Sequence, residues 1–304
     1  MKLFQTIAPW RHCAVAVAVG FAVTTPFAAV AAEAVDLELV LATDVSRSIS
    51  AEEAYLQREG TAAAFKSPEV TRAIALGANG KIAVAYVDWS VDYLNRVIVD
   101  WRIINSKESA EAFADELLKV ELTPGQRTSI SSALQMSAQM IDANSYEGTR
   151  KVIDISGDGQ NNAGLPLAPV REDVIANGIV VNGLPIILKG EEFAGRNFTP
   201  EIDKYYARCV IGGRGSFLIV ARGFKDFAVA IRHKLIMEIS ALPNPIQYAD
   251  TRGFIRLAAA QDLTQFLKPL LPNANGPVIV RPPATRDTDC DQRGGFGGFG
   301  GFQP

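Results

Sequence analysis

The sequence contains little histidine, little cysteine and no surplus of basic residues. Only two His and three Cys occur among 304 residues, so sites that need clusters of these side chains, such as zinc or iron centres, are nearly excluded. Lys and Arg number 30 against 33 Asp and Glu, whereas nucleic-acid binding requires a basic face. Because 48% of the residues are hydrophobic, the chain is not wholly disordered. The composition predicts a globular protein that does not bind nucleic acid.

Residues 1–32 have the order of a secretory signal peptide. Lys2 and Arg11 supply positive charge, the run from Cys13 to Val23 is apolar apart from Gly20, and small residues surround a cleavage site near Ala32. The apolar run is short for a membrane span, although an uncleaved anchor is the alternative. We therefore expect a soluble mature chain without a transmembrane segment, located in the periplasm or outside the cell.

Two cysteines remain after such a cleavage, Cys209 and Cys290. An exported protein reaches an oxidising compartment in which disulfides persist. The two residues are therefore candidates for a disulfide, but the sequence leaves the pairing open because geometry decides it.

Apolar strands and helices alternate from residue 35 to residue 242, which we interpret as one domain. Predicted strands cover residues 37–42, 81–89, 95–101, 151–156, 179–188 and 217–221, with helices between them. The segment 95–101 is predicted to form a hairpin with 81–89. This alternation predicts a doubly wound, mostly parallel, Rossmann-like α/β sheet with one antiparallel edge strand and helices on both faces.

Two segments follow this domain. Residues 243–293 form a C-terminal extension with a predicted short helix near 250–271 and a proline-rich stretch. Residues 294–304 form a low-complexity tail with three Gly-Gly-Phe repeats. Such a composition cannot bury a core, so we expect a flexible end; a sticky contact element is the alternative.

The residues that indicate chemistry lie where predicted strands end. Asp44, Ser46 and Ser48 follow the first strand, Thr128 precedes a helix, and Asp158 follows the strand 151–156. In an open α/β sheet, ligands bind at the carboxyl ends of the strands. Two carboxylates and three hydroxyls form a hard-oxygen set that suits Mg²⁺, Mn²⁺ or Ca²⁺. Helix caps and turns use the same residue types without a metal.

This pattern resembles the metal-ion-dependent adhesion site (MIDAS) of von Willebrand factor A domains. Asp44-x-Ser46-x-Ser48 is followed after 84 residues by Thr128 and after 30 more by Asp158. The likeness covers about residues 36–240, and the surrounding text resembles an exported, uncharacterised bacterial branch of that superfamily. The resemblance implies that the hydroxyls bind the ion, Mg²⁺ above all. The two carboxylates would then hold it directly or through water.

The resemblance also implies a function. Members of the family use the ion to hold an Asp or Glu carboxylate of a partner protein, so we expect a binding protein and not an enzyme. Two rivals remain: a metal-assisted hydrolase that uses the same ion to activate water, and a structural or assembly protein of the cell envelope tethered through its tail. The hydrolase would require a general base, for which the sequence offers no clear candidate.

Several residues depart from the family pattern or extend it. Gly157 occupies a position where Thr or Ser is usual, so one supporting hydroxyl is missing. Arg47 lies between the two serines, where it can screen or select an anion. Asp154 and Ser156 lie at alternate positions with Asp158 along the strand. They are therefore candidates for groups that hydrogen-bond to the metal ligands and support them. For Asp154 the equal alternative is a buried carboxylate satisfied by backbone donors or an Arg.

Two further motifs indicate structural roles and not a binding or catalytic site. The triplet Arg232-His233-Lys234 on a late helix indicates a solvated face. The glycine-rich stretch 212–216 lacks the Lys-Ser/Thr ending of a phosphate-binding loop and indicates a turn.

Overall fold

The structure is a computed structural model that describes residues 32–187 and 201–240, the pair 279–280 and Cys290. The strands are β1 (Glu33–Val35), β2 (Glu38–Asp44), β3 (Ile82–Trp89), β4 (Arg96–Ile104), β5 (Tyr146–Gly148), β6 (Lys151–Gly157), β7 (Val180–Pro185), β8 (Leu218–Ile219) and β9 (Ile279–Val280). The helices are α1 (Ala51–Phe65), α2 (Pro68–Ala75), α3 (Lys107–Lys119), α4 (Ile130–Ala143), α5 (Leu167–Ala176), α6 (Ile202–Tyr205) and α7 (Phe227–Ile239).

Within the described residues, seven strands form one sheet in the order β4-β3-β2-β6-β7-β8-β9. The five central strands are parallel, and β4 pairs antiparallel with β3 at one edge. The predicted doubly wound, mostly parallel fold is therefore confirmed. A second antiparallel pair, β8 with β9, was not predicted. Strands β1 and β5 form a separate parallel pair.

The sheet is covered on both faces because its central strands are apolar on both sides. In β2, Leu39 and Leu41 enter one core cluster, whereas Val40 and Ala42 enter the other. Helices α1, α2, α3 and α7 pack on the first face, and α4 and α5 pack on the second. This double burial explains why β2 appears in the sequence as a continuous apolar run and not as an alternating one.

Helix starts agree with the capping signals in the sequence. The Ser50 hydroxyl accepts the backbone N–H of Glu53, whose carboxylate accepts the N–H of Ser50, and the two bonds form a capping box at the start of α1. Ser129 caps α4 by accepting the N–H of Ser132. Each such cap stabilises a helix by about 1 kcal/mol. The Ser129 cap also places the preceding Thr128 at the edge of the sheet.

The predicted signal peptide and Gly/Phe tail lie outside the described residues. So does the extension 243–293, apart from β9 and Cys290. Across the described part of the chain, no helix has both the length and the apolar character that crossing a membrane demands.

Candidate metal centre

The carboxyl ends of β2 and β6 bring two carboxylates to the same edge of the sheet. Asp44 is the last residue of β2, and Asp158 directly follows β6. The two strands are parallel neighbours, with Thr43 opposite Ser156. Both carboxylates are buried: Asp44 is 0% exposed and Asp158 is 8% exposed. The parallel register alone thus places two acidic side chains side by side with little access to water.

The Asp44 carboxylate folds the loop that follows β2. Its Oδ1 accepts the backbone N–H of Ser46 at 2.7 Å, which is the local turn that Asp favours. The Ser46 carbonyl in turn accepts the N–H of Ile49 at 2.9 Å. This tight turn directs the hydroxyls of Ser46 and Ser48 toward each other, with 3.2 Å between the two Oγ atoms.

Ser90, just after β3, holds the loop that carries Thr128. The Ser90 hydroxyl accepts the N–H of Gln126 at 2.7 Å and donates to the carbonyl of Arg127 at 2.8 Å. Its backbone carbonyl accepts the N–H of Ser129 at 2.7 Å. Three hydrogen bonds from one residue therefore fix the backbone on both sides of Thr128.

Two asparagines after Asp158 hold the same loop from the other side. The Asn162 side chain accepts the backbone N–H of Thr128 at 3.0 Å, and the Asn162 N–H donates to the Thr128 carbonyl at 2.8 Å. Asn161 accepts the N–H of Ser131 at 3.1 Å. The segment that follows the second carboxylate is thereby joined to the start of α4.

The five predicted residues converge. The Thr128 hydroxyl donates to Ser46 Oγ at 3.3 Å, and Ser48 Oγ donates to Asp158 Oδ1 at 2.6 Å. The contact between the two serines joins these two bonds, so four side-chain oxygens from three distant segments form one continuous row of hydrogen bonds. The remaining member, Asp44, keeps one oxygen, Oδ2, without a hydrogen-bond partner.

The electrostatics of this cluster favour a cation. Burial, and secondly the charge of Asp158, raise the pKa of Asp44 well above its usual value, and the N–H of Ser46 opposes the shift. A neighbouring carboxylate, Asp88, is already neutralised by Arg58 at 2.6 Å. Within the described residues no group of three or more His, Cys, Asp or Glu is arranged to hold a metal ion. The cluster instead offers two carboxylates and three hydroxyls, and such oxygens fit a hard divalent cation.

Asp154 and Ser156, the two candidates for supporting groups, are both buried in β6. Asp154 forms an ion pair with Lys234 of α7, with 2.7 Å between oxygen and nitrogen. Its charge partner is thus neither a backbone donor nor an Arg. Burial raises the pKa of Asp154 to about 7, with Lys234 opposing the shift and Glu238 adding to it. A role of Asp154 and Ser156 in supporting the ligands stays a prediction.

The solvated face predicted for residues 232–234 is wrong for Lys234. This side chain is 0% exposed and contacts Asp154 and Glu238 at 2.7 and 2.5 Å. His233 is half-buried, and its pKa is lowered by burial and then by the charge of Arg232. The sequence shows three consecutive polar residues but not that the middle of α7 lies against the sheet.

The structure joins Cys209 and Cys290 in a disulfide, with Cα atoms 5.4 Å apart. Cys209 belongs to a π-helical turn, Tyr206–Val210, which continues α6. The disulfide therefore ties this turn to the extension that follows the α/β domain.

Sequence reasoning missed four residues that shape the site. The sequence signals for these residues are weak: Ser90 follows a predicted strand, the two asparagines come shortly after Asp158, and the tyrosine has no periodic pattern around it. The missed residues are Ser90, Asn161, Asn162 and Tyr206.

Comparisons with known proteins identify the family of this chain and solved structures that are similar to it. No curated protein matches this chain significantly. Proximal thread matrix protein 1 from the mussel byssus, in a structure with a zinc-occupied MIDAS motif, aligns with 18% identity and a TM-score of 0.49 over 69% of this chain and 49% of that protein. The pilus adhesin SpaC of Lactobacillus rhamnosus GG aligns with 12% identity and a TM-score of 0.48 over 69% and 31%.

A von Willebrand factor type A structure from Catenulispora acidiphila aligns with 15% identity and a TM-score of 0.46 over 68% of this chain and 43% of that one. This chain thus spans half or less of each of the three proteins. The doubly wound sheet with its antiparallel edge strand is the architecture that the resemblance to von Willebrand factor A domains implies. A family model described as "Protein of unknown function (DUF1194)" matches residues 34–243, more than half of the sequence, and the chain therefore belongs to this family.

Proposed function

We propose that this chain is an exported binding protein that captures a protein partner through a divalent cation. The ion would be held by the side-chain oxygens that converge at the carboxyl edge of the sheet: Asp44, Ser46, Ser48, Thr128 and Asp158.

The observation that carries this proposal is the spacing of the oxygens. The side-chain oxygens of Asp158, Ser48, Ser46 and Thr128 follow one another at separations of 2.6, 3.2 and 3.3 Å. In an octahedral site with metal–oxygen distances near 2.1 Å, neighbouring ligand oxygens are about 3 Å apart. The oxygens therefore lie close enough together to coordinate a single Mg²⁺, Mn²⁺ or Ca²⁺ ion.

The charge of the site supports an anionic partner. Asp44 and Asp158 together balance one divalent cation, whereas the three hydroxyls are neutral, so the bound ion keeps its affinity for a further oxygen anion. Arg47 lies between the two serines and is exposed, which adds positive charge at the rim. An Asp or Glu carboxylate of a partner protein matches this chemistry.

The metal is tested first, by titrating the full chain with Mg²⁺, Mn²⁺ and Ca²⁺ in a calorimeter. Wild type is expected to bind one ion, and Asp44→Ala to bind none. The control is Asp115→Ala, because Asp115 is an exposed partner of Lys66 on another part of the surface, and it should bind like wild type. Equal binding by wild type and Asp44→Ala would refute the site.

Partner capture is tested next, by pull-down from an envelope extract with Mg²⁺ or with a chelator. We expect a captured protein that is lost with the chelator and with Asp44→Ala. Capture that survives both treatments but is lost when the tail 294–304 is deleted, which leaves β9 and Cys290 in place, would favour the assembly role. Release of product from a phosphodiester or ester panel, lost in Asp158→Ala, would favour the hydrolase.

A further inference from the structure

Gly157 marks a point of very close approach beneath the proposed ion. A Cβ atom on this residue would lie 2.8 Å from Asp44 Oδ2 and 2.9 Å from the Tyr206 hydroxyl oxygen. Both distances are shorter than a Cβ atom tolerates, so any side chain at this position would force Asp44 or Tyr206 to shift. The side chains of Asp44 and Tyr206 therefore face the same small volume at the end of β6.

Both oxygens are buried, and neither has a partner within hydrogen-bond geometry. Asp44 and Tyr206 are each 0% exposed, and Asp44 Oδ2 and the Tyr206 hydroxyl have no hydrogen-bond partner. Buried polar groups are nearly always paired, and the exceptions call for an explanation. Here a hydroxyl that can donate and a carboxylate oxygen that can only accept both border the space above Gly157.

The position of Tyr206 is fixed by its backbone and not by its hydroxyl. Its carbonyl accepts the N–H of Ile211 at 3.0 Å across the π-helical turn, and the turn is further held by the disulfide of Cys209. The preceding Tyr205 accepts the N–H of Asn161 at 3.1 Å, next to the asparagine that holds Thr128. The segment that carries Tyr206 is thus attached to the site by contacts that do not use its hydroxyl. Single π-helical turns are frequent at functional sites.

We propose that Tyr206 is a positioning residue of the ion site: when an ion binds, its hydroxyl, which is unpaired in this structure, donates to Asp44 Oδ2 and orients this carboxylate toward the ion. It supplies the supporting hydroxyl that Gly157 cannot. Outer groups of this kind fix the orientation of a ligand and raise its affinity for the metal. The inference rests on the proposed ion site, and it assigns a role to the Tyr205-Tyr206 segment that the resemblance does not provide.

The test compares Tyr206→Phe with wild type in a calorimetric titration of the full chain with Mg²⁺. Loss of an outer hydrogen bond to a metal ligand typically weakens affinity 10- to 100-fold, and this loss is the expected result. Tyr86→Phe is the matched control, because Tyr86 is also 0% exposed with an unpaired hydroxyl but packs in the core cluster on the opposite face of the sheet. It should bind Mg²⁺ like wild type.

A second readout separates positioning from packing. Mg²⁺ is expected to produce a tyrosine ultraviolet difference spectrum in wild type and in Tyr86→Phe, and this signal should be absent in Tyr206→Phe. Urea unfolding without Mg²⁺ checks that both variants fold. If Tyr206→Phe does not fold, the wild-type spectrum decides: no tyrosine signal at saturating Mg²⁺ overturns the proposal.

The outcomes distinguish this inference from the proposed function. If wild type binds Mg²⁺ and Tyr206→Phe binds it within about twofold, the ion site stands and the role of Tyr206 is wrong. If wild type binds no ion, both proposals fail.

Discussion

Replacing Asp158 by Asn separates the charge of the site from its shape. Asn is nearly isosteric with Asp, and its Oδ1 can still accept the Ser48 hydroxyl, which contacts Asp158 Oδ1 at 2.6 Å. One of two buried negative charges is removed. The variant is therefore expected to gain stability without the ion and to lose stability relative to wild type with it.

The magnitudes follow from the burial of the pair. Without the ion, the charge of Asp158 is, after burial, the largest cause that raises the pKa of Asp44. Removing it should stabilise the protein by an amount on the order of 1–2 kcal/mol at the effective dielectric of a protein surface. With the ion at a hundredfold excess over its dissociation constant, wild type gains about 2.7 kcal/mol. For a domain of this size, that gain raises Tm by about 5–10 °C, and the variant should not show it.

The assay is scanning calorimetry of both proteins in EDTA and in excess Mg²⁺. Asp115→Asn is the control, because it makes the same chemical change at an exposed residue paired with Lys66. It should lie within about 0.5 kcal/mol of wild type and respond to Mg²⁺ normally. The reasoning is refuted if Asp158→Asn keeps the wild-type response to Mg²⁺, or if it is less stable than wild type in EDTA.

Three further predictions concern the surroundings of the site. Gly157→Ala places a Cβ 2.8 Å from a carboxylate oxygen and should cost about 1–3 kcal/mol in urea unfolding; unchanged stability would contradict this. The raised pKa of Asp154, about 7 against 3.8 when unfolded, means that the native state binds a proton more tightly, so stability falls as pH rises between those values. Asp154→Asn, which leaves Lys234 paired with Glu238, should flatten that fall between about pH 4 and pH 7; a variant whose stability falls in parallel with that of wild type would count against it. In the denatured chain after signal cleavage, the Cys209–Cys290 disulfide should leave no reactive thiol before reduction and two after; two from the start would mean no pair.

Much of the fold followed from the sequence because local and long-range preferences agree. The apolar run before Asp44 is long enough for a strand and is apolar on both sides, as a strand covered on both faces must be. The caps at Ser50 and Ser129 mark helix starts by local hydrogen bonds. The convergence of the site follows from topology, since parallel strands end at one edge.

The parts that could not be predicted depend on tertiary packing. Lys234 lies in a polar triplet, and only the packing of α7 on the sheet buries it against Asp154. The segment 202–210 has no periodic pattern, so the approach of Tyr206 to Asp44 left no signal in the sequence. Gly157 was recognised as a departure from the family, but its reason, two side chains that already fill the space, is visible only in the fold.

The most direct measurement is the crystal structure of the full chain soaked in Mn²⁺, with the ion located by its anomalous scattering. The account predicts one peak at the carboxyl edge of the sheet, bound to the hydroxyls of Ser46 and Ser48 and within reach of Thr128 and both carboxylates. A site without a peak at saturating Mn²⁺, or a peak elsewhere on the chain, would contradict it.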